Sequence, residues 1–146
     1  MRAIGLDYGT KTVGVAVSDP FGWTAQALET IVREKENHLR PTLRRIGEII
    51  KEYGADRIIL GNPLNMDGTA GERSMAAHGF KEILEKKTCL PVFLWDERLT
   101  TVEAEEILAE MEVPRAEWKT HVDKIAAALI LQDYLNDLKS REENAE

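Results

Sequence analysis

Apolar and small residues run almost unbroken from Ala3 to Leu6 and again from Val13 to Val17, with Gly9-Thr10-Lys11 between the two runs. Such runs, bounded by Gly, Asp and Pro, predict buried strands over residues 2–8 and 12–18. A weaker strand follows the Asp19-Pro20-Phe21-Gly22 turn over residues 27–33, and the short connections make all three antiparallel neighbours. The period then changes. Leu39, Leu43, Ile46, Ile50 and Tyr53 recur at alternating spacings of four and three, which predicts a helix that Gly54 stops.

Residues 57–60 read as a fully buried strand ended by Gly61-Asn62-Pro63, and a polar, glycine-bearing loop over 64–71 leads to a second helix near Glu72. Residues 91–95 form the fifth strand, running straight into Asp96-Glu97-Arg98. Thr100-x-x-Glu103 fits a capping box for a third helix that extends to about Met111, and a fourth spans roughly residues 121–138. The order is βββαβαβαα, an α/β domain over residues 1–139 with the later strands parallel. Residues 140–146 are expected to be a charged, disordered tail.

Composition narrows the class. At 146 residues, 43% apolar and 31% charged, the chain has the profile of one folded domain. The longest apolar run, residues 125–131, is far short of the roughly 20 residues that span a bilayer, so no membrane partner is expected. Cys89 is the single cysteine, which excludes an internal disulfide and a Cys-rich zinc site, agrees with a reducing cytoplasm and suggests core packing. The net charge of −7 is a C-terminal property: residues 1–100 hold 14 acids and 14 Lys/Arg, residues 101–146 hold 12 and five. The neutral body carries one basic segment, Arg33, Lys35, Arg40, Arg44 and Arg45 with His38. It is either a solvated helix face or a hold for a phosphate backbone.

Asp7 is the costliest residue in this pattern, because an ionised carboxylate taken out of water needs a partner charge, a metal or several donors. It either accepts hydrogen bonds from the Gly9-Thr10-Lys11 turn or meets other groups at the carboxyl edge of the sheet. Asp96, Glu97 and Asp123 are the acids placed to join it. Each has a plainer reading: Asp96-Glu97-Arg98 as a strand-end turn, and Thr120-x-x-Asp123 as a capping box in the first turn of the last helix. Ala126 and Ala127 leave room for Asp123 to reach inward. If Asp7, one of Asp96 and Glu97, and Asp123 converge, the oxygen-only donor set selects Mg²⁺ or Mn²⁺, and phosphate chemistry follows. His38, His78 and His121 have no metal-ligand spacing.

Four motifs stand in order along the chain: Gly5-Leu6-Asp7-Tyr8-Gly9-Thr10-Lys11, Leu60-Gly61-Asn62-Pro63 with Asp67-Gly68-Thr69, Trp95-Asp96-Glu97-Arg98-Leu99-Thr100-Thr101, and Asp123-Lys124-Ile125-Ala126-Ala127. Together they resemble the bacterial YqgF family, also called RuvX, over nearly the whole chain. The resemblance implies an RNase H-like fold and a cytoplasmic nuclease that matures the 5′ end of pre-16S ribosomal RNA, with the ribosome or its precursor as partner. It also implies Asp7, Glu97 and Asp123 as the catalytic and metal-holding acids, with Asp96 as the alternative to Glu97. Gly61-Asn62 stands at the end of the fourth strand, where resolvases of the RuvC type place a carboxylate. Lys11, Arg98, Arg40 and Arg44 are the residues expected to hold the substrate backbone, with Thr100 and Thr101 as helix caps.

Three other readings belong to the same sequence. One is a Holliday junction resolvase acting on DNA, and one is a non-catalytic RNA- or ribosome-binding module. The third is half of an actin-like ATP site, because Asp-x-Gly-Thr before a hairpin resembles the first phosphate motif of those two-lobed proteins. Both monomer and homodimer are compatible with the pattern.

Overall fold

The apolar runs become strands and the segments between them helices: β1 (Ala3–Tyr8), β2 (Thr12–Ser18), β3 (Ala25–Val32), α1 (Arg40–Tyr53), β4 (Arg57–Pro63), α2 (Glu72–Thr88), β5 (Val92–Glu97), α3 (Thr100–Glu110) and α4 (Trp118–Asn144). This is a computed structural model, which describes residues 1–35, 37–64, 67, 69–97 and 100–144, the side chain of residue 101 excepted. The strands form one sheet in the order β3-β2-β1-β4-β5. β1 pairs antiparallel with β2, as β2 does with β3, whereas β4 runs parallel to both β1 and β5.

Strand alternation divides the core into two layers. Ile4, Leu6, Tyr8, Val13, Val15, Ile58 and Leu60 face α1 and α2, packing on Ile46, Ile49, Phe80 and Leu84. Ala3, Ala16 and Ile59 face the other way, onto Ala127, Ile130, Leu131 and Leu135 of α4. This second face is built from small residues so that α4 can approach the sheet at backbone distance. A Cβ on Gly5 would stand 2.8 Å from the Leu131 Cβ, and one on Gly14 only 1.9 Å from the Asp123 carbonyl oxygen. Gly54 closes α1 in the left-handed region at φ 65°, its N–H donating to the Ile50 carbonyl.

Several boundaries differ from those the sequence predicts. β4 and β5 each run on past their apolar residues, because the Asn62–Asp96 and Pro63–Glu97 pairs extend the parallel ladder. The Asp-Glu pair is therefore strand, not turn. α4 starts at Trp118, after a 3₁₀ turn at Arg115–Glu117, and continues to Asn144 through the segment expected to be a tail. An Arg141 Nε–Asp137 Oδ2 ion pair of 2.9 Å, one helical turn apart, supports that extension. Cys89 is exposed at the left-handed C-cap of α2, φ 58°, instead of packing in the core. No helix among the described residues is long and apolar enough to cross a membrane.

Candidate active site

Asp7 is the last residue of β1 on the α4 side of the sheet, one step past the Leu6–Leu60 pair. β4 places Gly61 beside it, and β5 places Glu97 beyond Gly61. The missing side chain of Gly61 is what lets Glu97 lean across, since a Cβ there would stand 2.7 Å from Glu97 Oε2 and 2.7 Å from Ile130 Cδ1. Glu97 is buried, meets Asp7 in a carboxyl–carboxyl hydrogen bond, and accepts a second hydrogen bond at Oε1 from the Thr100 hydroxyl. Asp123 arrives from above on α4, over Gly14, the antiparallel partner of Asp7. Its Oδ2 accepts a 2.6 Å hydrogen bond from the Thr12 hydroxyl.

Asp7 and Glu97 perturb each other, and the charge of Asp123 acts on both. Asp7 keeps some exposure as a residue, but burial is the largest cause that holds its carboxyl well above the usual carboxylate range. The charges of Glu97 and Asp123 and the hydrogen bond to Glu97 act the same way, and among the described residues Arg73 opposes them. Glu97 is raised as well, by burial first; its hydrogen bonds from Thr100 and Asp7 pull it down and the Asp123 charge pushes it up. Both carboxyls of the pair are therefore held above the usual carboxylate range.

The donor set consists of oxygens alone, and its electrostatic deficit is what a hard divalent cation relieves. The residues present fit such an ion with the Asp7–Glu97 pair as nucleus. No group of three His, Cys, Asp or Glu side chains among the described residues is gathered closely enough to hold an ion as it stands. Asp123 acts on the pair through its charge while one of its oxygens is engaged by Thr12.

The remaining sequence candidates separate. Lys11 is exposed on the β1–β2 turn, beside Asp123. Asp96 is exposed on the edge strand β5, its alternation opposite to that of Glu97. Arg98 lies outside the described residues. Arg40 and Arg44 are exposed on α1, which packs on the sheet face away from α4 and the acids. The basic segment is not one surface either: Arg33 is buried over the Tyr8 ring, 4.7 Å to its centroid, and donates to the Gly9 carbonyl. Arg45 is taken up by Glu29 and Glu48.

Two of the plainer readings are corrected. Thr120 and Asp123 both lie inside α4, so Asp123 caps no helix start. Thr100 is the first residue of α3, with its hydroxyl turned back to Glu97. Asn62 faces α2 and accepts a 2.5 Å hydrogen bond from Ser74 Oγ, so the position at the end of β4 that faces the acids is Gly61.

Thr12, Thr100 and Arg73 were not among the predicted site residues. Thr100 has a legible signal, standing three residues after Glu97 where the strand turns into a helix. Thr12 has none, because its partner lies 111 residues away. Replacing Thr12 with Val leaves the half-buried Asp123 carboxylate without its donor. In the metal-free protein this is expected to cost about 1.5–3 kcal/mol, read as a lower urea midpoint at unchanged slope.

A mixed sheet whose three antiparallel strands lead into two parallel ones, with acids from β1, β5 and the last helix on one face, is an RNase H-like fold. The structure of Thermus thermophilus RuvC in complex with Holliday junction substrate matches it with a TM-score of 0.56 over 96% of each chain, at 17% identity. The chain belongs to the RuvX family: the family model, described as Holliday junction resolvase, matches residues 1–137. A relative from Lachnospira eligens named "Putative pre-16S rRNA nuclease" is 56% identical over 135 residues, 92% of this chain and 96% of its own length. A Bacillus subtilis relative of the same name is 51% identical over 139 residues, 94% of this chain and 99% of its own.

Proposed function

We propose that this protein is a divalent-metal-dependent nuclease that hydrolyses phosphodiester bonds in structured RNA, acting on the 5′ end of pre-16S ribosomal RNA in the cytoplasm. The observation that carries the reading is the buried Asp7–Glu97 pair, raised by burial and by the charge of Asp123, with Arg73 opposing at Asp7. The names of the relatives from Lachnospira eligens and Bacillus subtilis supply the substrate class.

Asp7 and Glu97 hold Mg²⁺ or Mn²⁺ through their carboxylate oxygens, with Asp123 as third ligand. When bound, the cation supplies an activated water and charge stabilisation at the leaving oxygen. Thr100 fixes the Glu97 carboxylate and Thr12 that of Asp123, so two hydroxyls set ligand orientation from outside the ligand shell. Lys11, exposed beside Asp123, contacts the substrate phosphate backbone. Arg73 limits the repulsion between the acids and stands next to Tyr8, to whose carbonyl it donates at 3.2 Å.

A second reading, cleavage of four-way DNA junctions, is favoured by the family description and by the RuvC likeness in fold. The two are separated by incubating a pre-16S 5′ leader RNA and a four-way junction with Mn²⁺, Mg²⁺ or chelator, using wild type and Glu97→Gln. Metal-dependent cleavage of the RNA, lost in chelator and in the variant, is the expected result. Cleavage of the junction alone selects the second reading, and absence of cleavage on both substrates removes the nuclease assignment.

A further inference from the structure

Beside Asp123 a groove of about 630 Å³ opens between the β1–β2 turn, α3 and the start of α4. Lys11, Arg115 and Lys119 line it, against Glu105 and Asp123 as its acids, so it carries net positive charge on a chain whose total is −7. Its wall also holds Trp118. The indole is half-buried and fixed in place, its Nε1–H donating 2.9 Å to the Val113 carbonyl, and the Arg115 guanidinium lies 5.2 Å from the ring centroid. Neither the ring nor these three cations contribute to either core layer.

Cations that follow a backbone, together with an immobilised aromatic ring, are the elements by which proteins hold unpaired nucleic-acid strands. A base stacks on an indole only when its face is free, which a duplex denies. We propose that this groove binds a single-stranded RNA segment next to the bond to be cut. In it, an unpaired base stacks on the Trp118–Arg115 platform while Lys11 and Lys119 hold the phosphates leading to Asp123. The proposal rests on the nuclease reading for its substrate but assigns residues and a strand requirement that reading does not contain. It also relocates substrate contacts from α1 to the α4 side of the sheet, where the acids are.

The test is binding in chelator, so that no cleavage enters the measurement. Fluorescence anisotropy of a labelled 12-nucleotide RNA, alone or annealed to its complement, is followed for wild type, Trp118→Ala, Trp118→Phe and Lys119→Gln at several salt concentrations. Wild type is expected to prefer the single strand. Trp118→Ala loses about tenfold or more in affinity for it, Trp118→Phe retains most of it, and Lys119→Gln reduces the salt slope by about 0.7. The proposal is overturned if wild type binds neither form, or if Trp118→Ala binds the single strand as wild type does. It is equally overturned if Trp118→Phe falls as far as Trp118→Ala, which would make the indole a structural anchor through Val113. Failure of the cleavage assay above leaves these binding outcomes unchanged, so the two readings fail separately.

Discussion

Replacing Gly14 with Ala is expected to destabilise the protein by about 3 kcal/mol or more, the upper range for forcing atoms into a filled core. The added Cβ would stand 1.9 Å from the Asp123 carbonyl oxygen, 2.3 Å from its carbon and 2.9 Å from the Lys124 nitrogen. All three are backbone atoms, so no rotamer change relieves the contact, and α4 has to move off the sheet. At this chain length, a loss of that size lowers Tm by roughly 10 °C. Gly47→Ala is the control: that position, inside α1, has nothing within 4 Å of a built Cβ. Removing a flexible residue from a helix interior there is expected to raise stability by about 0.5–1 kcal/mol. Thermal melts of the two variants beside wild type check both directions, and an unchanged Tm for Gly14→Ala would show that α4 does not sit on the sheet as described.

Asp7→Asn is expected to move stability and activity in opposite directions. Because burial and neighbouring charge raise the folded-state pKa of Asp7 above its unfolded value, the native protein binds more protons than the unfolded chain between those two values. Metal-free stability therefore falls as pH rises from about 4 upward through the folded-state pKa of Asp7, and the penalty is complete above it. Asparagine keeps the shape and removes the charge, so the variant should melt higher than wild type at neutral pH and show a flatter pH profile. Mg²⁺ or Mn²⁺ should raise the Tm of wild type, by linkage to binding, and leave that of the variant nearly unchanged. Cleavage should drop by more than about 100-fold, since even residues that only orient metal ligands cost 10- to 100-fold. A variant that melts lower than wild type in chelator at pH 7.5 would contradict the electrostatic account of the site.

Much of this was legible from the residues. The strands follow from unbroken apolar runs, and the cost of Asp7 in one of them points to the groups it meets at the sheet edge. What the pattern left undecided was orientation. Both faces of residues 92–97 look apolar, so alternation alone did not separate Asp96 from Glu97; the answer lies in Gly61, one strand over, whose missing side chain admits Glu97. The local capping signal at Thr120-x-x-Asp123 misplaced the start of α4, because Trp118 extends the helix with its indole bonded back to Val113. The basic segment read as one surface because its members are adjacent in sequence, yet Arg33 leaves it as a buried cation over Tyr8 and Arg45 as an ion-pair partner. Sequence proximity on a strand–loop–helix stretch does not imply a shared face.

The hydrogen bond from Thr12 to Asp123 joins the second strand to the last helix across 111 residues. During synthesis, everything through β5 emerges before the helix that supplies Asp123 and covers Ala3, Ala16 and Ile59. A chain made only through β5 carries Asp7 and Glu97 but neither Asp123 nor Trp118. By the order of elements, Asp123 and the groove wall at Trp118 reach the sheet only after every strand has been made.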